Sequence, residues 1–285
     1  VVAEGDTVPV GALLGVVTEG EVSDAAVEAF VAEFLASFKP VEKGGDDGPA
    51  AEPIAVEGRT IRHLRLGPDG GTPILMIHGF GADLATWMFN QQALAEDRPV
   101  YAIDLPGHGG SSKQVEDGSV AGLAKTVLAY MDAAGIDKAH LVGHSLGGAV
   151  ALTVALNHPD AISGVVALAP LTHMEDEVRG EFKSLYITSR LKRWLIAQTT
   201  AVPTSQKYAP QTLDFVFGPQ KWPEDYIDAG GGMLGLRPSH FYATASDIVA
   251  IEKDLPDIET RYGEIAMPVA IMYGTADRVL SHKRH

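Results

Sequence analysis

The chain has 285 residues and a net charge of −15, with 46% hydrophobic and 21% charged residues. That size and mix suit one large α/β domain, or one domain plus a small appendage, and they exclude wholesale disorder. Cysteine is absent, which excludes a disulfide scaffold, a thiolate zinc site and a cysteine nucleophile.

No apolar run reaches the roughly 18–20 residues of a membrane span, and no N-terminal leader pattern is present, so a cytoplasmic protein is expected. The charge is uneven. The first 60 residues hold 12 acids against 3 bases. Nucleic acid and anionic membrane are not expected as partners, because phosphate contacts need clustered Lys and Arg.

Residues 1–18 read as two short strands joined by a turn at Glu4-Gly5-Asp6. A helix follows, with Ser23 as N-cap and Val22 placed to staple against Val27. Val27, Phe30, Val31, Phe34, Leu35 and Phe38 recur at helical spacing. Residues 39–53, rich in Gly and Asp, read as a linker, so residues 19–53 form an acidic helix and linker. The main domain is expected to start near Ile54 and run to residue 285.

From there strands and helices alternate. Strands are predicted over residues 60–66, 73–77, 100–103, 139–143, 161–169 and 268–273. Helices are predicted from the Ser119 cap to Gly135 and over residues 146–157. Alternating β and α with continuous apolar strands argues for a mostly parallel sheet covered on both faces. Between about 171 and 266 the pattern turns to helices, aromatics and a Gly230-Gly231-Gly232 turn. An insertion there, between two strands, reads as a helical cap over a substrate site.

Four stretches carry chemistry. Gly143-His144-Ser145-Leu146-Gly147-Gly148 lies between a predicted strand and a predicted helix, the context a nucleophile elbow requires. Gly143 and Gly147 leave room for the sharp turn, and Ser145 is the expected nucleophile. His78-Gly79-Phe80-Gly81 follows the strand 73–77. The amides of Phe80 and Leu146 are the expected oxyanion hole. The His78 imidazole is read as structural, bonded to loop backbone. His108, in Asp104-Leu105-Pro106-Gly107-His108-Gly109-Gly110-Ser111, precedes the nucleophile and is also given a structural role. Asp277, in Gly274-Thr275-Ala276-Asp277-Arg278-Val279, is the expected acid that orients a histidine.

These motifs together resemble the α/β-hydrolase superfamily, from about Ile54 to the end. Residues 2–14 resemble the trailing half of a lipoyl domain. A lipoyl end, a linker and an α/β hydrolase in that order resemble the dihydrolipoamide acetyltransferase subunit of acetoin-cleaving dehydrogenase complexes. The stretch from His78 to Asn90 resembles that subunit too. The resemblance implies an acyl group carried on a lipoyl-lysine upstream of this chain and passed to coenzyme A, with other complex subunits as partners. The cap is less similar and looks like that of a generic esterase.

In this superfamily the base follows one more helix and strand after the acid, so the catalytic histidine is expected beyond His285. His282 and His285 are rejected as base, and His63, His140, His144, His158, His173 and His240 lie in the wrong order or element. His144 is expected beside the site but flanks the nucleophile. The chain begins Val1-Val2 without Met, and it is read as a window that opens within a lipoyl domain and closes after the triad acid. Three readings follow: an acyltransferase of this type, a hydrolase of a small ester or thioester, or a non-catalytic docking module of a complex. Ser145, Asp277 and the oxyanion loop argue against the last. No metal site is expected.

Overall fold

Glu57 and Gly58 adopt positive φ of 46° and 78°. This two-residue turn folds β1 (Glu52–Val56) back on β2 (Arg59–Leu66) as an antiparallel hairpin. The structure, a computed structural model, describes residues 22–37, 50–115, 117–174, 180–223, 226–229 and 235–284. The strands predicted over 1–18, Phe38 and the Gly230-Gly231-Gly232 turn lie outside those residues. The chain divides into two units, Val1–Gly48 and Pro49–His285. In the first, the predicted amphipathic segment forms α1 (Asp24–Ser37), and the amides of Ala26 and Val27 donate to the Ser23 carbonyl.

In the second unit β2 pairs antiparallel with β4 (Val100–Ile103), and β3 (Ile74–Ile77), β4, β5 (Ala139–His144), β6 (Ile162–Leu168) and β7 (Val269–Met272) are parallel. The order across the sheet is β1-β2-β4-β3-β5-β6-β7. The sequence carries β3 at the centre because all four of its residues are apolar and all four are buried. β1 was not expected. Its Glu52 and Pro53 break the apolar pattern, and an edge position is where a sheet tolerates them.

Successive side chains alternate between two faces. On one, Ile74, Met76, Val100, Ala102 and Val142 gather with Leu84 and Trp87. Leu84 and Trp87 come from a 3₁₀ turn (Leu84–Trp87), followed by α2 (Gln91–Leu94). The Gln91 amide donates to the carbonyls of Leu64 (2.7 Å) and Val100 (3.0 Å) and fastens α2 to the sheet. On the other face Leu75, Ile77, Leu141 and Val165 pack against α3 (Val120–Ala133) and α4 (Leu146–Asn157). Leu123, Val127 and Met131 of α3 are buried, as the 3.6-residue period requires. Ser119 caps α3 by accepting from Gly122 N at 3.2 Å.

Coverage of the sheet is unequal. Among the described residues the 3₁₀ turn and α2 cover only part of the first face. An open groove of about 340 Å³ remains there, lined by Ile74, Met76, Trp87, Val142, Val166 and Leu168 among others. Among the described residues β7 pairs with β6 alone, and its apolar run is exposed along its length, with Met272 at 61%.

The cap is helical as expected. It contains α5 (Arg190–Thr199), α6 (Ala201–Phe217), α7 (Tyr226–Ala229) and α8 (Pro238–Ala250), and α9 (Leu255–Glu259) leads back toward β7. Asp254 returns to the core. Its carboxylate accepts from the amides of Val120 (3.2 Å) and Ala121 (2.6 Å), the first turn of α3.

The turn between β5 and α4 has no room for side chains at its flanks. A Cβ on Gly143 would lie 2.2 Å from the Gly147 carbonyl oxygen, and one on Gly147 would lie 2.2 Å from that of Ile77. Gly147→Ala is therefore expected to destabilise the protein by about 1–3 kcal/mol through overpacking. Gly263→Ala, which meets nothing within 4 Å, is expected to be close to neutral. Urea unfolding midpoints check this, and equal midpoints for the two variants would contradict the steric account.

Candidate active site

Ser145 sits at the N-cap of α4 with φ 53° and ψ −118°. That backbone is strained for a residue with a Cβ, and strain of about 1–3 kcal/mol persists only where surroundings hold it. Here they do. The Ser145 amide donates to Leu168 O at 3.0 Å, and its carbonyl accepts from Gly148 and Leu171, both at 3.0 Å. The helix following Ser145 is buried from Leu146 to Leu156. The Ser145 hydroxyl makes no hydrogen bond among the described residues.

The predicted oxyanion loop lies against this serine. A Cβ on Gly79 would be 3.0 Å from Ser145 Cβ and 2.9 Å from His144 Nδ1. Ala82 N donates to Gly79 O at 3.2 Å, which makes residues 79–82 a β-turn with Phe80 and Gly81 at its centre. The Phe80 and Leu146 amides, one in this turn and one at the start of α4, donate to no other group among the described residues. The Phe80 ring packs on Phe182 at 5.9 Å between centroids.

His78 is fully buried, and its Nδ1 is 2.8 Å from Gly79 O. Its Nε2 accepts from Leu105 N at 3.0 Å, so the proton is on Nδ1. The imidazole thus ties the turn at residues 79–82 to the loop after β4, bonded to loop backbone as the sequence reading expected. Asp104 organises that second loop. It accepts from Leu84 N (2.8 Å) and Gly110 N (2.6 Å), and Arg62 Nε is 2.7 Å away. His108 donates from Nδ1 to Pro106 O at 3.1 Å and is buried. Neither histidine is free to act as the base.

Sequence reasoning missed α8. Its His240 reaches Gly81 O at 3.0 Å, and its Asp247 lies 3.6 Å from His108 Nε2. Both Asp247 oxygens are buried and have no hydrogen-bond partner among the described residues. Pro238 at the helix start signals α8 in the sequence, but nothing local shows that its face lands on the turn at residues 79–82.

Asp277 lies in the loop after β7, and its Oδ1 accepts from Val279 N (2.7 Å) and Leu280 N (3.0 Å). These bonds fix the carboxylate. Its charge is felt at His144, whose pKa burial lowers and Asp277 raises in part. It is also felt at Tyr273, where burial first and Asp277 to a lesser degree push the phenol up to about 12. Tyr273 donates to Pro170 O and Tyr262 to Thr172 O (2.9 Å), which hold the segment behind Ser145. The structure thus brings Gly143, His144, Ser145, Leu146, Gly147 and the Phe80 turn together, with Asp277 on the side of His144. No histidine among the described residues is hydrogen-bonded to the Ser145 hydroxyl.

A family description of the α/β hydrolase fold matches residues 72–285. Over 187 residues the chain is 44% identical to the dihydrolipoyllysine-residue acetyltransferase component of the acetoin cleaving system of Pseudomonas putida, covering 65% of this chain and 50% of that one. The component of the same name from Cupriavidus necator is 39% identical over 192 residues, 67% of this chain and 50% of that one. The chain spans about half the length of these relatives. Among solved structures, a membrane phospholipase A described as a bacterial virulence factor superposes with a TM-score of 0.65 at 28% identity, over 91% of this chain and 82% of that one. No helix among the described residues is long and apolar enough to cross a membrane.

The buried groups make stability depend on pH in two opposed ways. Burial lowers His78, His108, His144 and His240 from an ordinary value of 6.5, His240 to about 4. Their contribution is complete above about 6.5 and is lost as pH falls through the folded values, because the unfolded chain takes up protons first. Burial raises Asp247 well above 3.8, offset in part by Arg193. Its contribution is complete below about 3.8 and is lost as pH rises through the folded value. Asp247→Asn removes the second effect and leaves the first. Its melting temperature relative to the parent protein is expected to climb as pH rises from about 4 to 8. Thermal unfolding across that range checks this, and a constant difference would contradict it.

Proposed function

We infer that this chain, which belongs to the α/β-hydrolase fold family, is a serine-nucleophile enzyme of acyl transfer. The observation that carries the inference is the Ser145 backbone at φ 53°, ψ −118°, held beside two unengaged amides. A strained serine at a strand-to-helix turn projects its hydroxyl where the amides and the α4 N-terminus converge.

The chemistry follows from those parts. The Ser145 oxygen attacks the carbonyl carbon of an ester or thioester, and the carbonyl electrons move onto oxygen. The Phe80 and Leu146 amides stabilise that oxyanion. One such donor is worth about 10²–10³ in rate. A histidine oriented by Asp277 takes the serine proton and gives it to the leaving alkoxide or thiolate. The acceptor then attacks the acyl-serine as the same histidine takes its proton, the bond from the serine oxygen to the acyl carbon breaks, and the histidine returns the proton to that oxygen.

We extend this to the dihydrolipoyllysine acetyltransferase type of the acetoin-cleaving system. The two relatives of that name, 44% and 39% identical, support the extension. In this reading the donor is an acyl thioester on a lipoyl-lysine outside the chain, the acceptor is coenzyme A, and the partners are subunits of the complex. Water as acceptor gives ester hydrolysis instead. The likeness to the phospholipase A structure favours that alternative.

The test is acyl-ester turnover by the full-length protein with p-nitrophenyl acetate. Ser145→Ala is expected to remove turnover by at least about 10³-fold, and an unchanged rate would refute the serine mechanism. Residues 1–285 alone, where no described histidine reaches the serine, are expected to turn over about 10²–10⁴-fold more slowly. Rapid Ser145-dependent turnover by that chain would mean that one of its own histidines is the base.

A further inference from the structure

We propose that His240 is a positioning residue for the oxyanion turn and acts on it from the cap. The proposal rests on the acyl-transfer reading above.

The turn at residues 79–82 is held at two carbonyls. Gly79 O faces His78 Nδ1 at 2.8 Å. Gly79 C=O and Phe80 N–H are opposite edges of one rigid peptide plane, so a grip on that oxygen aims the Phe80 amide. The second grip is on Gly81 O, which faces His240 Nε2 at 3.0 Å across 159 residues of chain. Gly81 has φ 65°, and as a glycine it is the turn residue freest to rotate. A carbonyl fixed at that point keeps the turn, and the Phe80 amide within it, from swinging away from Ser145.

His240 is itself held. Its ring meets His108 edge to face at 4.9 Å, and His108 meets His78 at 5.3 Å, so three buried imidazoles form a row beneath the turn. Thr244, one turn along α8, donates to His240 O at 2.9 Å. Ala243 of α8 lies so near the loop after β4 that a Cβ on Gly107 would be 2.4 Å from Ala243 Cβ. Because Nε2 is the nitrogen facing a carbonyl, it carries the proton, and Nδ1 is buried with no partner among the described residues. The imidazole is therefore a neutral donor with one task. His240 belongs to the cap, so the seating of the cap is read directly by the group that stabilises the oxyanion.

Two polar replacements differ only in reach. His240→Gln places an amide N–H near the position of Nε2, and His240→Asn stops near that of Nδ1. In the full-length protein His240→Asn is expected to lower kcat for p-nitrophenyl acetate by up to about 10²-fold, the scale of a misplaced catalytic donor. KM is expected to stay within about twofold, since the bond serves the transition state rather than substrate binding. His240→Gln is expected to recover most of kcat, with both variants melting at matching temperatures. Equal kcat for Asn and Gln, or a loss that falls in KM, would overturn the proposal. Ser145→Ala is assayed alongside. If it is inactive while Asn and Gln match, the proposal fails and the serine mechanism stands. If it is fully active, the mechanism fails and takes the proposal with it.

Discussion

Backbone pressed on backbone is the constraint from which the site follows. The end of β3, the end of β5 and the start of α4 meet with no side chain between them. The ideal Cβ positions of Gly143 and Gly147 fall 2.2 Å from carbonyl oxygens of their neighbours. That contact sets the spacing between Ser145, which caps α4, and the turn that leaves β3. The strained serine backbone is then held by three hydrogen bonds of 3.0 Å and by a helix buried around its whole circumference. Strain of this kind survives because a large apolar core over-determines it.

Around that core the site loops are organised by buried polar groups of two sorts. Asp104, with no exposed surface, collects two amides and the Arg62 guanidinium and so shapes the loop after β4. The imidazoles of His78, His108 and His240 are kept neutral by burial and serve as shaped donors to carbonyls. A neutral ring costs far less to bury than an ionised one. The arrangement therefore gives directional bonds without placing a positive charge next to the turn at residues 79–82.

What the sequence made legible was local. β3 to β6, α3 and α4 follow from apolar period, the Ser119 cap and the Gly-x-Ser-x-Gly spacing, each contained within a dozen residues. The Ser145 elbow and the Phe80 turn were readable for the same reason: glycines mark places where backbones touch. β1 was not readable, because Glu52 and Pro53 hide its pattern and only the pairing with β2 makes it a strand. His240 and Asp247 were missed because their partners lie more than a hundred residues away, on loops that no periodicity links to α8.

The cap leaves the core after β6 and comes back with Asp254, whose carboxylate closes the first turn of α3 from 133 residues further along the chain. The core thus makes a demand on where the excursion ends and little demand on how long it is. Closure entropy grows only logarithmically, so doubling such a loop costs about 0.6 kcal/mol. A lineage could change the cap in length and in lining and keep the body beneath it, provided an acid returned to the same pair of amides and a donor stayed on Gly81 O. The surface that the cap presents over the sheet is therefore open to change by insertion, not only by point substitution.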